Sequence, residues 1–194
     1  MGTLGVIVIT MLIMFFSSGS KMSHLFWMAV AGLSSLLILI KIEPYRLNRL
    51  LIFMNPDLDP RGIGYHINQA LLAVGSGGIL GLGLGHSRQK FYYLPEPVGD
   101  SIFAVIGEEL GLIGALALVI LFLIFALRGF KIAKNSPDGF GRLLGIGITS
   151  WIIFQAFINI SAIIAIIPLT GIPLPFISYG GTSIVFLLAG VGIL

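Results

Sequence analysis

The chain has 194 residues, of which 57% are hydrophobic and only 10% charged, and its mean hydropathy is +1.06. Soluble domains carry about 25% charged residues, so a soluble fold and a disordered chain are both excluded, and the protein belongs in a membrane. The net charge of +3 is spread over loops without a basic stripe, which excludes a nucleic-acid binder. The absence of cysteine removes disulfides, Cys-ligated zinc and thiol catalysis.

A membrane-spanning helix needs about 20 mostly apolar residues. The first such run, near 1–18, has no positive segment before it and no cleavage site after it, unlike a signal peptide. A hinge from Ser17 to Lys21 leads into a second span near 24–41. A third lies near 102–127, interrupted only by Glu108 and Glu109. Residues 143–194 carry no charge and are long enough for two spans, near 143–166 and 177–194, separated by Pro168, Pro173 and Pro175. The prediction is an all-α, polytopic membrane domain over 1–194 with five spans.

Short-loop Lys and Arg set the orientation. The connection 128–142 holds Arg128, Lys131, Lys134 and Arg142 and is predicted to be cytoplasmic, whereas the connection near 167–176 holds none. Counting back, the 41–101 loop lies outside the cytoplasm. A loop of that length tends to be functional. It opens with basic, amphipathic Lys41–Phe53, turns at Asn55–Pro60, and continues as a short interfacial helix over Ile63–Val74. A glycine-rich run, Gly75–Gly85, follows, and then a polar and aromatic stretch that ends at Asp100.

Several familiar patterns fail here. Gly81-Leu82-Gly83-Leu84-Gly85 lacks the strand–turn–helix setting of a dinucleotide site. Two readings remain for it: a backbone cradle for pyrophosphate beside Arg88 and Lys90, or glycine used for close backbone packing. Asp57-Leu58-Asp59 with Gly62 resembles a calcium loop, but the twelfth position is Asn68 rather than Glu. His24, His66 and His86 are scattered and read as surface or packing residues.

The carboxylates hold more chemistry. Asp100 stands at the mouth of the third span, where it reads either as a helix N-cap or as a general base for a sugar hydroxyl. The approach Tyr92-Tyr93-Leu94-Pro95-Glu96-Pro97 is stiff and aromatic, more than a cap requires. Glu108 and Glu109 fall at or inside the bilayer edge, where acids are functional candidates; pairing with Arg88 or Lys90 is the structural alternative. Gln155 and Asn159 share a helix face and read as interhelical hydrogen-bonding residues.

Taken together, the motifs resemble those of the SEDS family (shape, elongation, division and sporulation), which includes FtsW, RodA and SpoVE. The residues that carry the resemblance are Asn55-Pro56, Asp59-Pro60, Gly62-x-Gly64-Tyr65, Gln69, Gly75–Gly85 and Ser87-Arg88-Gln89-Lys90. It continues through Tyr93-Leu94-Pro95-Glu96, Asp100-x-Ile102-Phe103-Ala104, Gly107-Glu108-Glu109-Leu110-Gly111 and Pro173-x-Pro175-Phe176-Ile177-Ser178-Tyr179-Gly180-Gly181. The Ser-Arg-Gln-Lys stretch looks more like FtsW or SpoVE than RodA. The chain departs from the family pattern at Val98-Gly99, where many relatives have His-Thr, and at His66, where they have Gln.

The resemblance implies an inverting peptidoglycan glycosyltransferase that polymerises lipid II outside the bacterial cytoplasmic membrane during septal wall synthesis. It also implies a class B penicillin-binding protein and other divisome proteins as partners. Asp100 is the implied catalytic residue, the base that deprotonates the attacking sugar hydroxyl, with Arg88, Lys90, Glu96, Glu108 and Gln69 as substrate-binding candidates. The pyrophosphate charge is offset by Lys90 or Arg88, or by a divalent cation, magnesium or manganese. Family members have about ten spans, so the chain is expected to be the C-terminal half of such a protein and inactive alone. A lipid-linked precursor flippase is the competing class.

Overall fold

The computed structural model describes residues 2–42 and 44–194. Met1 and Glu43, which fall in the predicted first span and in the basic stretch Lys41–Phe53, lie outside the described residues. The described residues form helices without strands: α1 (Gly2–Ser17), α2 (Met22–Ile42), α3 (Pro44–Met54), α4 (Ile63–Ser76), α5 (Gln89–Tyr92), α6 (Ile102–Lys134), α7 (Gly139–Ile163) and α8 (Gly181–Ile193). A 3₁₀ turn, Pro56–Leu58, sits between α3 and α4. Among the described residues, α6 and α7 are long and apolar enough to cross a membrane. At 16 and 13 residues, α1 and α8 are shorter than the usual crossing length.

The helix ends differ from the sequence expectation at the end of α6, at both ends of α7 and at the start of α8. α6 runs on to Lys134 rather than ending near 127, and α7 starts at Gly139, so the basic connection shrinks to residues 135–138. Charged residues suit a helix that has left the hydrocarbon, so hydropathy marked the membrane border and not the helix end. The Asp138 carboxylate caps α7 by accepting from Gly141 N at 2.9 Å. At its other end α7 stops at Ile163, where Ala165 turns left-handed (φ 54°) and Ile166 N closes onto Ser161 O at 2.8 Å. The last helix starts at Gly181 rather than 177, because Ile177 N and Ser178 N both turn back to Leu174 O.

α6 and α7 pack along a seam of small residues. A Cβ on Gly129 would strike Thr149, and one on Gly145 would strike Ala133. Such seams let membrane helices approach closely where lipid offers no hydrophobic drive between them. α1 lies on α7, with Met14 over Gly147, and its first residue packs against Thr170 and Ile172. The remaining faces of α6 are apolar all round, with Leu112, Leu116, Ile120 and Leu123 about half exposed; this is the surface of a helix solvated by lipid.

The unusual feature is a break in α6. Gly111 has φ 66° and ψ −164°, a conformation nearly restricted to glycine. A break frees two carbonyls before it and two amides after it, each costly to bury unpaired. The glycine-rich segment satisfies all four. Leu82 N and Gly83 N donate to Glu108 O and Glu109 O, both at 3.0 Å, while Leu112 N and Ile113 N donate to Gly78 O (2.9 Å) and Ile79 O (3.2 Å). Residues 78–83 are therefore spliced into the hydrogen-bond ladder of α6. Such an approach demands bare backbone, since a Cβ at Gly77, Gly81 or Gly111 would meet the main chain of Gly107, Glu109 or Gly81. The close-packing reading of the glycine run is the one the structure shows.

Gly81→Ala and Gly111→Ala each add strain of about 1–3 kcal/mol and displace the strap, so both lower the thermal midpoint of the detergent-solubilised full-length protein. Gly75, on α4 with open space where a Cβ would stand, is the control. Gly75→Ala leaves the midpoint level or raises it, by about 0.5–1 kcal/mol of helix propensity at most.

Candidate active site

The strap sets out two polar clusters around the first turns of α6. The first surrounds Glu108, which is 1% exposed. Its carboxylate accepts from Ser87 Oγ at 2.5 Å, from Arg88 N at 2.9 Å and from Gln89 N at 3.4 Å. It thus anchors the start of α5. Glu109, the next residue, pairs with Lys90 Nζ at 2.5 Å and accepts weakly from Ser87 N at 3.4 Å. Glu108 has no free face, so a direct substrate contact, expected from the sequence, is not available to it. Lys90 is held by Glu109, whereas the Arg88 side chain is exposed, and among the described residues only its backbone N–H is engaged.

These acids are shallow. The uncharged stretch Leu110–Leu127 is 18 residues, or about 27 Å of helix, close to a full hydrocarbon thickness. That puts Glu108 and Glu109 at one border of the spanning segment and Arg128 at the other.

The second cluster surrounds Asp100. The N-cap of α6 is Ser101, and no side chain caps the helix, so the capping role open to Asp100 in the sequence is not one it plays. Instead its main chain is clamped. Tyr179 N donates to Val98 O (2.8 Å), Ser178 Oγ to Gly99 O (2.6 Å) and Asn159 Nδ2 to Asp100 O (2.7 Å). Three consecutive carbonyls are gripped by the 172–180 segment and by α7. Asn159 also donates to Ile172 O at 2.7 Å, and Gln155 to Pro173 O at 2.9 Å. The pair predicted to join helices therefore ties α7 to a loop and to the aspartate.

The half-buried Asp100 carboxylate has Ser101 Oγ at 3.3 Å from Oδ1. Ser101 is fully buried and lies 2.6 Å from His66 Nε2 on α4. Burial holds His66 below its ordinary pKa of 6.5; the Asp100 charge works against this, Arg49 with it and Glu96 against it. Glu96 is exposed at a left-handed turn (φ 47°), and its carbonyl accepts from Gly99 N and Ser101 N. Arg49 of α3 reaches across to Leu169 O at 3.0 Å.

Of the candidates named from sequence, the structure thus joins Asp100 with Glu96 in one cluster and Arg88 with Lys90 and Glu108 in another. An open groove of about 460 Å³, lined by Lys90, Phe91, Pro97, Val98, Ile102 and Glu109, runs between them. Gln69 stands apart, lining a shallow cleft with Asn68 and Leu72. Among the described residues no three His, Asp or Glu side chains gather as a metal-binding set. His66 and Ser178 are contributors to which the sequence reading gave no site role, and Asn159 was read only as a residue that joins helices. A polar i, i+4 pair in an uncharged span was the available signal for Asn159; scattered histidines offered none for His66.

These geometries belong to a polytopic membrane protein with a backbone-clamped acid at one end of its bundle. The family model for the FtsW, RodA and SpoVE proteins, described as "Cell cycle protein", matches residues 1–194, and the chain is an integral membrane protein of this SEDS family. It is 46% identical over 194 residues to "Stage V sporulation protein E" of Bacillus subtilis (strain 168), covering 100% of this chain and 53% of the relative. It is 43% identical over 183 residues to "Probable peptidoglycan glycosyltransferase FtsW" of Geobacter metallireducens, covering 94% and 49%. A chain in the structure described as "Structural coordination of polymerization and crosslinking by a peptidoglycan synthase complex" superposes with a TM-score of 0.72 at 27% identity, covering 97% of this chain and 52% of that one. The chain spans about half the length of the curated relatives it matches.

The lowered pKa of His66 fixes the sign of a pH effect. Below about 6.5 the unfolded chain takes up a proton that the native state resists. Stability therefore falls as the pH drops from 7 through the native pKa and levels off below it. His66→Gln, measured by thermal midpoint from pH 7.5 to 5, flattens that decline.

Proposed function

We propose that the full-length protein polymerises lipid II into glycan strands at the outer face of the cytoplasmic membrane, with Asp100 as the general base. The observation that carries this reading is the state of Asp100. Its own carbonyl and those of the two residues before it each accept a hydrogen bond from another element, yet its carboxylate is left uncommitted to the helix it precedes. A base must be positioned within hydrogen-bond reach of the proton it removes and must not be consumed by structure.

In the proposed step, Asp100 takes the proton from the 4-hydroxyl of the GlcNAc of one lipid-linked disaccharide. The oxygen attacks the anomeric carbon of MurNAc on a second, forming the glycosidic bond with inversion. The bond from that carbon to the pyrophosphate oxygen breaks, and undecaprenyl pyrophosphate leaves with the electron pair. Arg88, exposed on the turn that Glu108 anchors, faces the developing phosphate charge, and Lys90 joins it by exchanging Glu109 for phosphate. Glu108 acts through this turn and Glu96 through the turn before Asp100; Gln69 is assigned to the sugar–peptide headgroup further along α4.

The five-span topology, with residues 41–101 outside and the Arg128–Arg142 end in the cytoplasm, is part of the proposal. Its support is that Gly2, Thr170, Ile172 and Asp100 meet at one end of the bundle while Leu194, Gly145 and Ala133 meet at the other. A class B penicillin-binding protein is the proposed partner, on the pairing of polymerization and crosslinking in the similar complex. Septal wall synthesis is the proposed setting, on the family's description as cell cycle proteins; the sporulation relative makes spore formation the other candidate.

Transport of the same lipid is the second reading, and the broken α6 favours it, since discontinuous helices line many transport paths. Against it, the groups freed by the break are all satisfied by the strap, and α7 beyond Arg142 and all of α8 are uncharged.

The two readings separate in liposomes holding the full-length protein, its transpeptidase partner and lipid II, without nucleotide or ion gradient. Glycan ladders on a gel are expected; lipid II that crosses the bilayer and stays monomeric overturns the polymerase. Ser178→Ala, which removes the Gly99 clamp, is expected to slow polymerisation about tenfold, the worth of roughly one such hydrogen bond.

A further inference from the structure

A general base changes its hydrogen-bonding needs when it works. As a carboxylate Asp100 only accepts; once protonated it must also donate. A neighbour able only to donate would hold the base in its first state and oppose the second. Ser101 is the polar side chain given to the Asp100 carboxylate among the described residues, at 3.3 Å from Oδ1.

Among the described residues Ser101 Oγ has three polar neighbours. It is buried, with Asp100 Oδ1 at 3.3 Å, Pro95 O at 2.9 Å and His66 Nε2 at 2.6 Å. Carbonyl and carboxylate oxygens can only accept from it. A serine hydroxyl has a single hydrogen and two lone pairs, so while that hydrogen points to Pro95 or Asp100, the contact with His66 must be donated by the imidazole. His66 therefore carries a hydrogen on Nε2, and its burial favours the neutral ring.

We propose that His66 and Ser101 form a positioning pair for Asp100, in which the His66 Nε2–H holds Ser101 Oγ in place while the Ser101 hydrogen moves between Asp100 and Pro95 O. Before proton transfer, the hydroxyl donates to Oδ1 of the carboxylate. After Asp100 has taken the proton from the acceptor sugar, the hydroxyl swings to Pro95 O, and Oγ offers its second lone pair to the new carboxyl O–H. The imidazole bond is kept throughout, and no proton leaves His66. The charged groups facing His66 are Asp100 on the 95–101 turn, Glu96 on the same turn and Arg49 on α3; of these only Asp100 changes state, by taking the proton that starts the swing.

This pair rests on the polymerase reading for its consequence but not for its geometry, so two measurements separate them. In the full-length protein with its transpeptidase partner, His66→Leu, which cannot donate, is expected to lower kcat for lipid II polymerisation about tenfold with KM within about twofold. His66→Gln, whose amide donates from a similar position, is expected to recover most of that loss. Independently of turnover, ¹⁵N-histidine spectra at pH 7.5, with the His66 signals assigned by their loss in His66→Gln, are expected to report the Nε2–H tautomer. An Nδ1–H tautomer, or wild-type kcat in His66→Leu, overturns the pair. The expected tautomer in a wild-type protein that makes no glycan overturns the polymerase reading instead and leaves the hydrogen-bond assignment supported.

Discussion

The backbone exchange at Gly111 is the constraint on which the rest of the structure depends. Breaking a helix near the edge of the hydrocarbon exposes four peptide groups where water cannot serve them. Here the neighbouring strap fills both sides of the break, carbonyl for carbonyl and amide for amide. The two segments become a single object that neither could form alone. Glycine at Gly77, Gly81 and Gly111 is a requirement of contact distance, and at Gly81 and Gly111 of backbone angle as well.

Everything polar nearby takes its position from that object. The strap delivers Ser87 and the first amides of α5 to the buried Glu108, whose polar atoms would lack partners without them. The same turn presents Lys90 to Glu109 and leaves Arg88 facing outward. On the other side of the first turns of α6, the clamp from Asn159, Ser178 and Tyr179 fixes the chain entering at Asp100. The short segment Ile102–Leu110 is thus pinned at both ends, by the strap at its exit and by the loop before α8 at its entrance. An apolar groove opens between the two polar clusters.

Much of the architecture is legible in the sequence, for a physical reason. Uninterrupted apolar runs have few solutions in a membrane, and the α6 and α7 runs and the small helix Ile63–Ser76 could be read from hydropathy and length alone. The boundaries could not, since α6 continues through Arg128, Lys131 and Lys134 where hydropathy has already fallen. The break was also hidden, because Leu110-Gly111-Leu112 in an apolar run looks like any membrane helix. It becomes visible only with its partner, about thirty residues earlier. The Asp100 carboxylate read as cap or base, and the geometry removed the first role. His66 was missed because its partner, Ser101, is a residue no pattern marks, and the contact depends on how α4 lies against α6.

The central claim of this account is that the clamped Asp100 carboxylate removes the proton of the attacking sugar hydroxyl. The most direct test is the rate of lipid II polymerisation by the full-length protein with its transpeptidase partner, comparing wild type with Asp100→Asn at matched expression. The amide preserves size and can still hydrogen bond with Ser101, but it is not a base. A loss of about 10²–10⁴-fold, the usual contribution of general base catalysis, with an unchanged thermal midpoint, is the predicted result. Near-normal glycan ladders from Asp100→Asn would contradict it and remove Asp100 from the chemistry.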